Sequence, residues 1–479
     1  MSFKPSKYQE AIFEHIKNSN ENAVIEAVAG SGKTTTLIES MKLLSKGQKD
    51  IIFIAFNKHI ADEMVKRVPN GIEVKTVHSF GLEQIKRAYR GAKLDTNKMK
   101  RVIKDISDIL ELRKKQDLNK YIDIITSLVS LFRFNMCEDV ITAKQIALKH
   151  MLPATDELIY DAFTVIKHMN FRRDIIDFTD MIYIPALEDI KVSEYSLILV
   201  DECQDLSLCQ IQLLMKMKGE GGRIIAVGDR NQSIYGFSGA DDESFKKMCQ
   251  IPNTKLLPLS ISYRCSKEVV KWAQKIVPSI EFSENSPEGK VNQSASTRDI
   301  KDGDFILCRT NSPIISLALQ LLSQGKKVQI KGVDIGERII KRLEGTRASN
   351  LHSAIKIMWN QFERAKESDE EESEINLLYM KDIITACETL IEGCNTVDDV
   401  KEKVKSLFCE DAQSGITLMT AHKSKGLEAE NVHIIMPDMM PLKNAFLEWE
   451  KIQEQNLHYV AITRAKNTLN YIQDWRITS

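Results

Sequence analysis

The segment AVAGSGKTTT, beginning at Ala27, constrains this chain more than any other. The apolar run VIEAV from Val24 leads into it, and a stretch of helical character leaves it. A glycine-rich turn between a strand and a helix is the setting of a phosphate-binding loop. Gly30 and Gly32 permit the tight turn that brings backbone N–H groups onto phosphate oxygens, with Ala29 and Ser31 completing the cradle. Lys33 can reach the outer phosphates, Thr34 can offer its hydroxyl to Mg²⁺, and Thr35 follows on the same turn. The N-terminus of the helix adds partial positive charge. Ala27 stands where the general pattern has its first glycine, so the match rests on GSGKT.

The rest of the chain repeats the strand–helix rhythm. IIFIAF from Ile51, LILV from Leu197 and RIIAVG from Arg223 complete one set of apolar runs with VIEAV. FILC from Phe305, KVQI from Lys327, ITLMT from Ile416 and VHII from Val432 form a second set. Apolar strands alternating with helices imply parallel sheets covered on both faces, and two separated sets imply two such domains. Two stretches lack this rhythm, about 83–171 and about 336–413, and read as helical from apolar spacing. The second contains the acidic run ESDEEESE from Glu367, expected as a solvated loop or helix end.

A second chemical motif, DECQD from Asp201, follows LILV directly. Carboxylates at the C-terminal end of a strand sit where ligands bind in open α/β sheets. Asp201 can hold Mg²⁺ together with Thr34, and Glu202 can orient and deprotonate an attacking water.

Lys and Arg number 66 against 67 Asp and Glu, a formal net charge of −1, so any polyanion would have to be met by a local groove. The nine cysteines include no CxxC pair, which argues against a disulfide framework or a zinc site and for reduced thiols in a cytosolic compartment. MSFKPSKYQEAIFEHI lacks the apolar core of a signal peptide, and the apolar runs are strand length, so no membrane anchor is expected.

An ordered series of motifs resembles superfamily 1 helicases of the UvrD/PcrA/Rep kind. It runs AGSGKT, FNKHIADEM from Phe56, TVHSFG from Thr76, DFTDM from Asp177 and DECQD. It continues VGDRNQSIYGFSGA from Val227, SYRCS from Ser262, ILCRTN from Ile306, TAHKSKGLEAENV from Thr420 and LHYVAITRAKN from Leu457. GKTTTL and FNKHIA resemble the F-box DNA helicase and phage branch in particular.

The resemblance implies two RecA-like parallel-sheet domains, each with a mainly helical insertion. The first would comprise residues 1–82 and 172–260 with insertion 83–171, and the second 261–335 and 414–479 with a shortened insertion 336–413. ATP and Mg²⁺ are the implied ligands, with ATP lying between the two sheet domains. Gln9 would read the adenine edge, Tyr263 stack on the adenine, and Glu428 touch the ribose. Gln232 would sense the γ-phosphate, and Arg264 and Arg464 would supply charge there, where an arginine finger contributes on the order of 10³–10⁵ in rate. For DNA, the resemblance points to Phe56, Asn57, Thr76, His78, Tyr235, Phe237, Thr420 and His422, the aromatic rings serving as stacking platforms.

The function so implied is an ATP-dependent DNA helicase or single-strand translocase moving 3′-to-5′. Its partners would be single-stranded DNA and single/double-strand junctions, and it would be a cytoplasmic or nucleoid-associated monomer or weak oligomer. The competing reading is a DNA-stimulated ATPase that remodels nucleoprotein or senses DNA ends without unwinding, and a small P-loop kinase or metabolic ATPase is the third. The kinase needs only one sheet and no equivalent of the SYRCS and AITRA arginines. The chain departs from its relatives at Phe237, where they often have Trp, at Thr35, where they often have Arg, and in the short second insertion.

Overall fold

A computed structural model describes residues 4–44, 50–112, 118–150, 152–234, 244–367, 374–409, 415–443 and 447–476. Backbone proximity divides the chain into two units, Met1–Ala27 with Gly32–Ser260, and Val28–Ser31 with Ile261–Ser479.

The first unit is built on strands β1 (Asn22–Ala27), β2 (Ile51–Ala55), β3 (Glu73–Thr76), β4 (Tyr195–Val200), β5 (Lys218–Gly228) and β6 (Thr254–Leu259). They form one sheet in the order β3-β2-β4-β5-β1-β6, every neighbouring pair parallel. Side chains alternate between faces with a period of two. Ile52, Ile54, Ile198, Val200, Ile224 and Ala226 enter one buried cluster. Ile51, Phe53, Leu197, Leu199, Ile225 and Val227 enter another on the opposite face. That is why these runs are apolar throughout: both faces are covered.

Helices Lys98–Asp105, Leu118–Phe134, Val140–Lys149 and Asp156–Phe171 lie between β3 and β4. Their apolar residues, among them Ile103, Ile125, Phe132 and Val165, belong to the same cluster as Ile52 and Ile54. The helical stretch therefore shares a core with the sheet. Helix Val77–Ala88 packs closely on helix Asp180–Leu187, because a Cβ on Gly81 would come within 1.7 Å of the Met181 carbonyl oxygen.

The second unit contains β7 (Lys290–Asn292), β8 (Phe305–Cys308), β9 (Val328–Lys331), β10 (Phe408–Cys409), β11 (Ile416–Thr420), β12 (Ala429–Ile435) and β13 (Ala465–Ile472). The order is β7-β13-β12-β8-β11-β9-β10, again parallel throughout. Helices Val333–Gly345, Leu351–Glu367, Glu374–Ile391 and Val397–Leu407 connect β9 to β10. Ile339, Met358, Leu390 and Val404 from these helices share one core with Ile306, Ile330 and Leu418 of the sheet. The expected α/β architecture of two parallel sheets with helical segments is thus present. Among the described residues no helix is long and apolar enough to cross a membrane.

Candidate functional site

In the first unit, three adjacent strands, β4, β5 and β1, deliver polar groups from their C-terminal ends. This edge is where ligands bind in open parallel sheets. After β1 the chain reaches Gly32, whose left-handed backbone (φ 78, ψ 37) caps helix Lys33–Lys42. Such a backbone suits glycine, and the cap makes no side-chain hydrogen bond to the first turn of the helix. Lys33 Nζ lies 2.8 Å from Glu202 Oε2, and Thr34 Oγ1 donates to Asp201 Oδ2 at 2.8 Å.

Glu202 also adopts a left-handed backbone (φ 53, ψ 46), a strained state for a residue with a Cβ and one that collects at functional sites. Two contacts fix it. Its N–H donates to Asp201 Oδ1 at 3.0 Å, and its Oε2 accepts from Gln204 Nε2 at 2.6 Å. Gln204 reaches the next strand as well, its Oε1 accepting from the Asp229 N–H at 3.0 Å. Asp229, at the end of β5, accepts from Gln232 Nε2 at 2.6 Å and from the Asn231 N–H at 3.0 Å.

Burial shapes the charges here. It raises the Asp201 carboxyl to about 6, with the negative charge of Glu202 adding to the effect and Lys33 opposing it. Burial also raises Asp229 to about 6 against the pull of Lys33. For Lys33, burial alone would lower the ammonium, but Glu202, Asp229 and Asp201 outweigh it and hold the group above its ordinary value. The result is a charged lysine on the first turn of the helix, held by three carboxylates.

The oxygen pair of Thr34 and Asp201 suits Mg²⁺, which is held by one or two carboxylates plus substrate phosphates rather than by a protein cage. No group of three or more His, Cys, Asp or Glu side chains that could hold a metal ion occurs among the described residues.

Ala29, Gly30 and Ser31 group with the second unit. The Ala29 N–H donates to the Tyr459 hydroxyl at 3.0 Å, and the Gly30 carbonyl accepts from the Tyr263 N–H at 2.9 Å. Gly30 has φ 72, and a Cβ there would fall 2.4 Å from Arg264 Cβ. Ser31 Oγ is fully buried without a hydrogen-bond partner. An unsatisfied buried hydroxyl is the feature a phosphate oxygen would satisfy.

Tyr263 is half exposed, with its ring available for stacking. Arg264 Nε pairs with Glu428 Oε2 at 2.6 Å, and Lys466 Nζ with Glu428 Oε1 at 2.9 Å. Burial would raise the Glu428 carboxyl, but Lys466 and Arg264 hold it below its ordinary value. Arg464 is buried and turned onto its own helix end. It donates to the carbonyls of Val460 at 2.9 Å and Leu427 at 3.0 Å, and to Thr463 Oγ1 at 3.2 Å.

The family model for the UvrD/REP helicase N-terminal domain matches residues 7–251, and that for the UvrD-like helicase C-terminal domain matches 344–473. The chain belongs to the UvrD/Rep helicase family. It is 28% identical to F-box DNA helicase protein 1 of Schizosaccharomyces pombe, over 96% of this chain and 56% of that protein. It is 27% identical to ATP-dependent DNA helicase Rep of Escherichia coli, over 53% of this chain and 41% of Rep. ATP-dependent DNA helicase PcrA of Bacillus subtilis is 24% identical over 66% of this chain and 45% of PcrA. The chain thus spans about half the length of the curated relatives it matches.

Against the UvrD/Rep motif series, the first unit brings Lys33, Thr34, Asp201, Glu202 and Gln232 to the ends of adjacent strands. A second group sits on the same edge beyond β4. Phe56 follows β2 and is 42% exposed, enough to leave much of the ring to a ligand. Thr76 ends β3 directly beside Ala55. Asn57 and Thr76 are both helix caps, accepting from the N–H of Ile60 at 2.9 Å and of Ser79 at 3.1 Å. His78 is half-buried, and burial lowers its imidazole. Thr35 is half-buried on the first turn of its helix. Tyr235 and Phe237 lie outside the described residues.

In the second unit Thr420 is buried at the end of β11. His422 follows in a short helical turn, its imidazole pushed down to about 3 by burial and by the charge of Arg309. Sequence reasoning missed Gln204, Asp229, Tyr459 and Lys466. Asp229 could have been found as a carboxylate immediately after the apolar run RIIAVG; the other three declare themselves only through their partners.

His458, one turn before Ile462, gives the second unit a pH dependence. Burial lowers its imidazole to about 4. Tyr471 accepts from Trp272 Nε1 at 2.8 Å and lies 3.2 Å from His458 Nε2, so its hydroxyl hydrogen is available to a neutral imidazole. Unfolded, the group titrates near its ordinary 6.5. The unfolded chain thus binds an extra proton below that value, and stability is lost as pH falls from 6.5 towards 4. The urea midpoint should fall between about pH 7.5 and about pH 5 in the wild type, and fall less steeply in His458→Gln. Equal slopes would show that His458 is already protonated in the folded chain.

Proposed function

We propose that the chain is an ATP-driven motor on single-stranded DNA, an ATP-dependent DNA helicase. The observation that carries this reading is the edge of the first sheet. Lys33, Thr34, Asp201 and Glu202 converge there on one stretch, and exposed Phe56 stands beside Thr76 on the next. A chain that joins phosphate chemistry and an aromatic platform on one rigid scaffold can link hydrolysis to its grip on a strand.

The geometry and the family support the following roles. Lys33 and the helix N-terminus bind the β- and γ-phosphates. Thr34 and Asp201 hold Mg²⁺, which would neutralise charge on the phosphates when bound. Glu202 takes the proton of the attacking water, and Gln204 holds its carboxylate in place. Gln232, anchored on Asp229, faces the terminal phosphate. Gln9 reads the adenine edge, Tyr263 stacks on the base, and Glu428 meets the ribose. Arg264 and Arg464 supply positive charge in the transition state, Arg464 by leaving the neutral oxygens that hold it here. Phe56, Asn57, Thr76, His78, Tyr235, Phe237, Thr420 and His422 contact DNA. Travel is 3′-to-5′, and single/double-strand junctions are the working substrate of this cytoplasmic or nucleoid-associated protein.

Purified protein should hydrolyse ATP slowly alone and much faster with single-stranded DNA, and Lys33→Ala should abolish both rates. It should separate 3′-tailed but not 5′-tailed duplexes. Equal hydrolysis with and without DNA would overturn the motor reading. DNA-stimulated hydrolysis without strand separation would leave a nucleoprotein-remodelling ATPase.

A further inference from the structure

Gln9 sits at the third position of helix Lys7–Asn18 and is 3% exposed. Its Oε1 accepts from the Ser6 N–H at 3.0 Å, half of a capping box in which Ser6 Oγ accepts from the Gln9 N–H at 3.3 Å. A helix cap uses only that oxygen. The amide nitrogen has a separate partner, Thr36 Oγ1, at 3.0 Å. Thr36 is fully buried on helix Lys33–Lys42, and its hydroxyl donates to the Gly32 carbonyl at 2.9 Å.

A hydroxyl has one hydrogen. Thr36 has committed it to Gly32, so it meets Gln9 only as an acceptor. Toward the side-chain amide, the Ser6 N–H is only a donor. The amide is therefore held from both sides, because a flip would set Oε1 against the Thr36 lone pairs and NH₂ against the Ser6 N–H. Beyond these partners the amide nitrogen has a second N–H and the oxygen a second lone pair. That pair complements adenine, which presents an N7 acceptor and an N6 donor, whereas guanine presents two acceptors, N7 and O6.

We propose that Thr36 is a positioning residue for base selection: its hydroxyl fixes the Gln9 amide in the one orientation that favours adenine over guanine nucleotides. The inference rests on the reading of Gln9 given above. The same hydroxyl ties Gln9 to Gly32, the cap of the phosphate-binding helix, so base recognition and phosphate recognition share one hydrogen-bonded chain.

The test compares wild type, Thr36→Val, Thr36→Ala, Thr36→Ser and Gln9→Ala as full chains. Equilibrium dissociation constants for ATP and GTP are measured by competition with a fluorescent nucleotide, alongside KM and kcat for DNA-stimulated hydrolysis. Valine keeps the shape of the side chain and removes the acceptor; alanine removes it without bulk, should valine disturb packing. Both should lower the preference for ATP over GTP by about tenfold, through KM and the dissociation constant, with kcat at saturating ATP retained. Serine restores the hydroxyl and should restore the preference. If Gln9→Ala loses the preference while Thr36→Val and Thr36→Ala keep it, the proposal is overturned and the reading of Gln9 survives. Loss in Thr36→Ser equal to that in valine also overturns it. If Gln9→Ala keeps the preference, the adenine reading fails and the proposal with it.

Discussion

Replacing Glu202 by glutamine is expected to lower DNA-stimulated ATP turnover by about 10²–10⁴-fold, the span that a positioned general base contributes. Glutamine keeps the size of the side chain and can still meet Gln204, but it cannot take a proton from water. It also tolerates the left-handed backbone at this position as well as glutamate does. Fold and DNA binding should therefore persist while turnover is lost. Lys33 loses a partner 2.8 Å away but keeps the fields of Asp201 and Asp229, so ATP should bind with affinity near that of wild type or tighter. Lys33→Ala should differ in kind, losing affinity along with turnover, because its ammonium is bound to phosphate in the ground state as well as in the transition state. Single-turnover hydrolysis and equilibrium nucleotide binding on the two variants separate the roles. A Glu202→Gln chain that keeps more than about a tenth of wild-type turnover would remove Glu202 from the role of base.

What could be read from residue order and what could not divides along physical lines. Strands buried on both faces, such as Ile51–Ala55 and Tyr195–Val200, show as continuous apolar runs and were legible. The edge strands Glu73–Thr76 and Thr254–Leu259 expose side chains such as Lys255 and Leu256 and carry no such run. Ala465–Ile472 was hidden for a different reason. Its buried Asn470 bonds to Asn292 and lies 3.3 Å from His433, so polar residues occupy what would otherwise be an apolar pattern. In the site, Lys33 and Asp201 were legible because their chemistry is local to a strand end. Gln204 was not, since its importance lies in bridging Glu202 and Asp229 across neighbouring strands. The DFTDM segment was recognised as a motif, but nothing in its sequence names the groups that hold Asp177 and Asp180.

Those groups are Arg133 and Lys98, which come from helices Leu118–Phe134 and Lys98–Asp105. Lys98 Nζ lies 2.7 Å from Asp180 Oδ2, and Arg133 bridges Asp177 Oδ2 at 3.1 Å and Asp180 Oδ1. The carboxylates also accept from backbone N–H groups, Asp180 from Asp177 at 2.8 Å and Asp177 from Asp180 at 2.7 Å. Arg133, Lys98 and Asp180 have no exposed surface, and the Arg133 guanidinium lies 4.9 Å from the centre of the Tyr183 ring. Burial alone would lower the guanidinium, but Asp180 and Asp177 outweigh it and hold the arginine charged. Two cations then face two anions in the buried interior, burial lowering the Lys98 ammonium against the pull of Asp180. Arg133→Met removes one cation and leaves an unbalanced carboxylate, and such a change costs about 3–5 kcal/mol. The urea midpoint should fall accordingly. Asp177→Asn added to Arg133→Met restores the balance, because Lys98 and Asp180 remain paired. The double variant should be more stable than the sum of the two single changes allows, the signature of residues coupled through one network. An Arg133→Met chain within about 1 kcal/mol of wild type would mean that water or a proton already neutralises the cluster. The charges join the helical insertion to the segment leading into β4, whose end carries Asp201 and Glu202. A cut through this cluster should therefore loosen the support of the site together with the insertion.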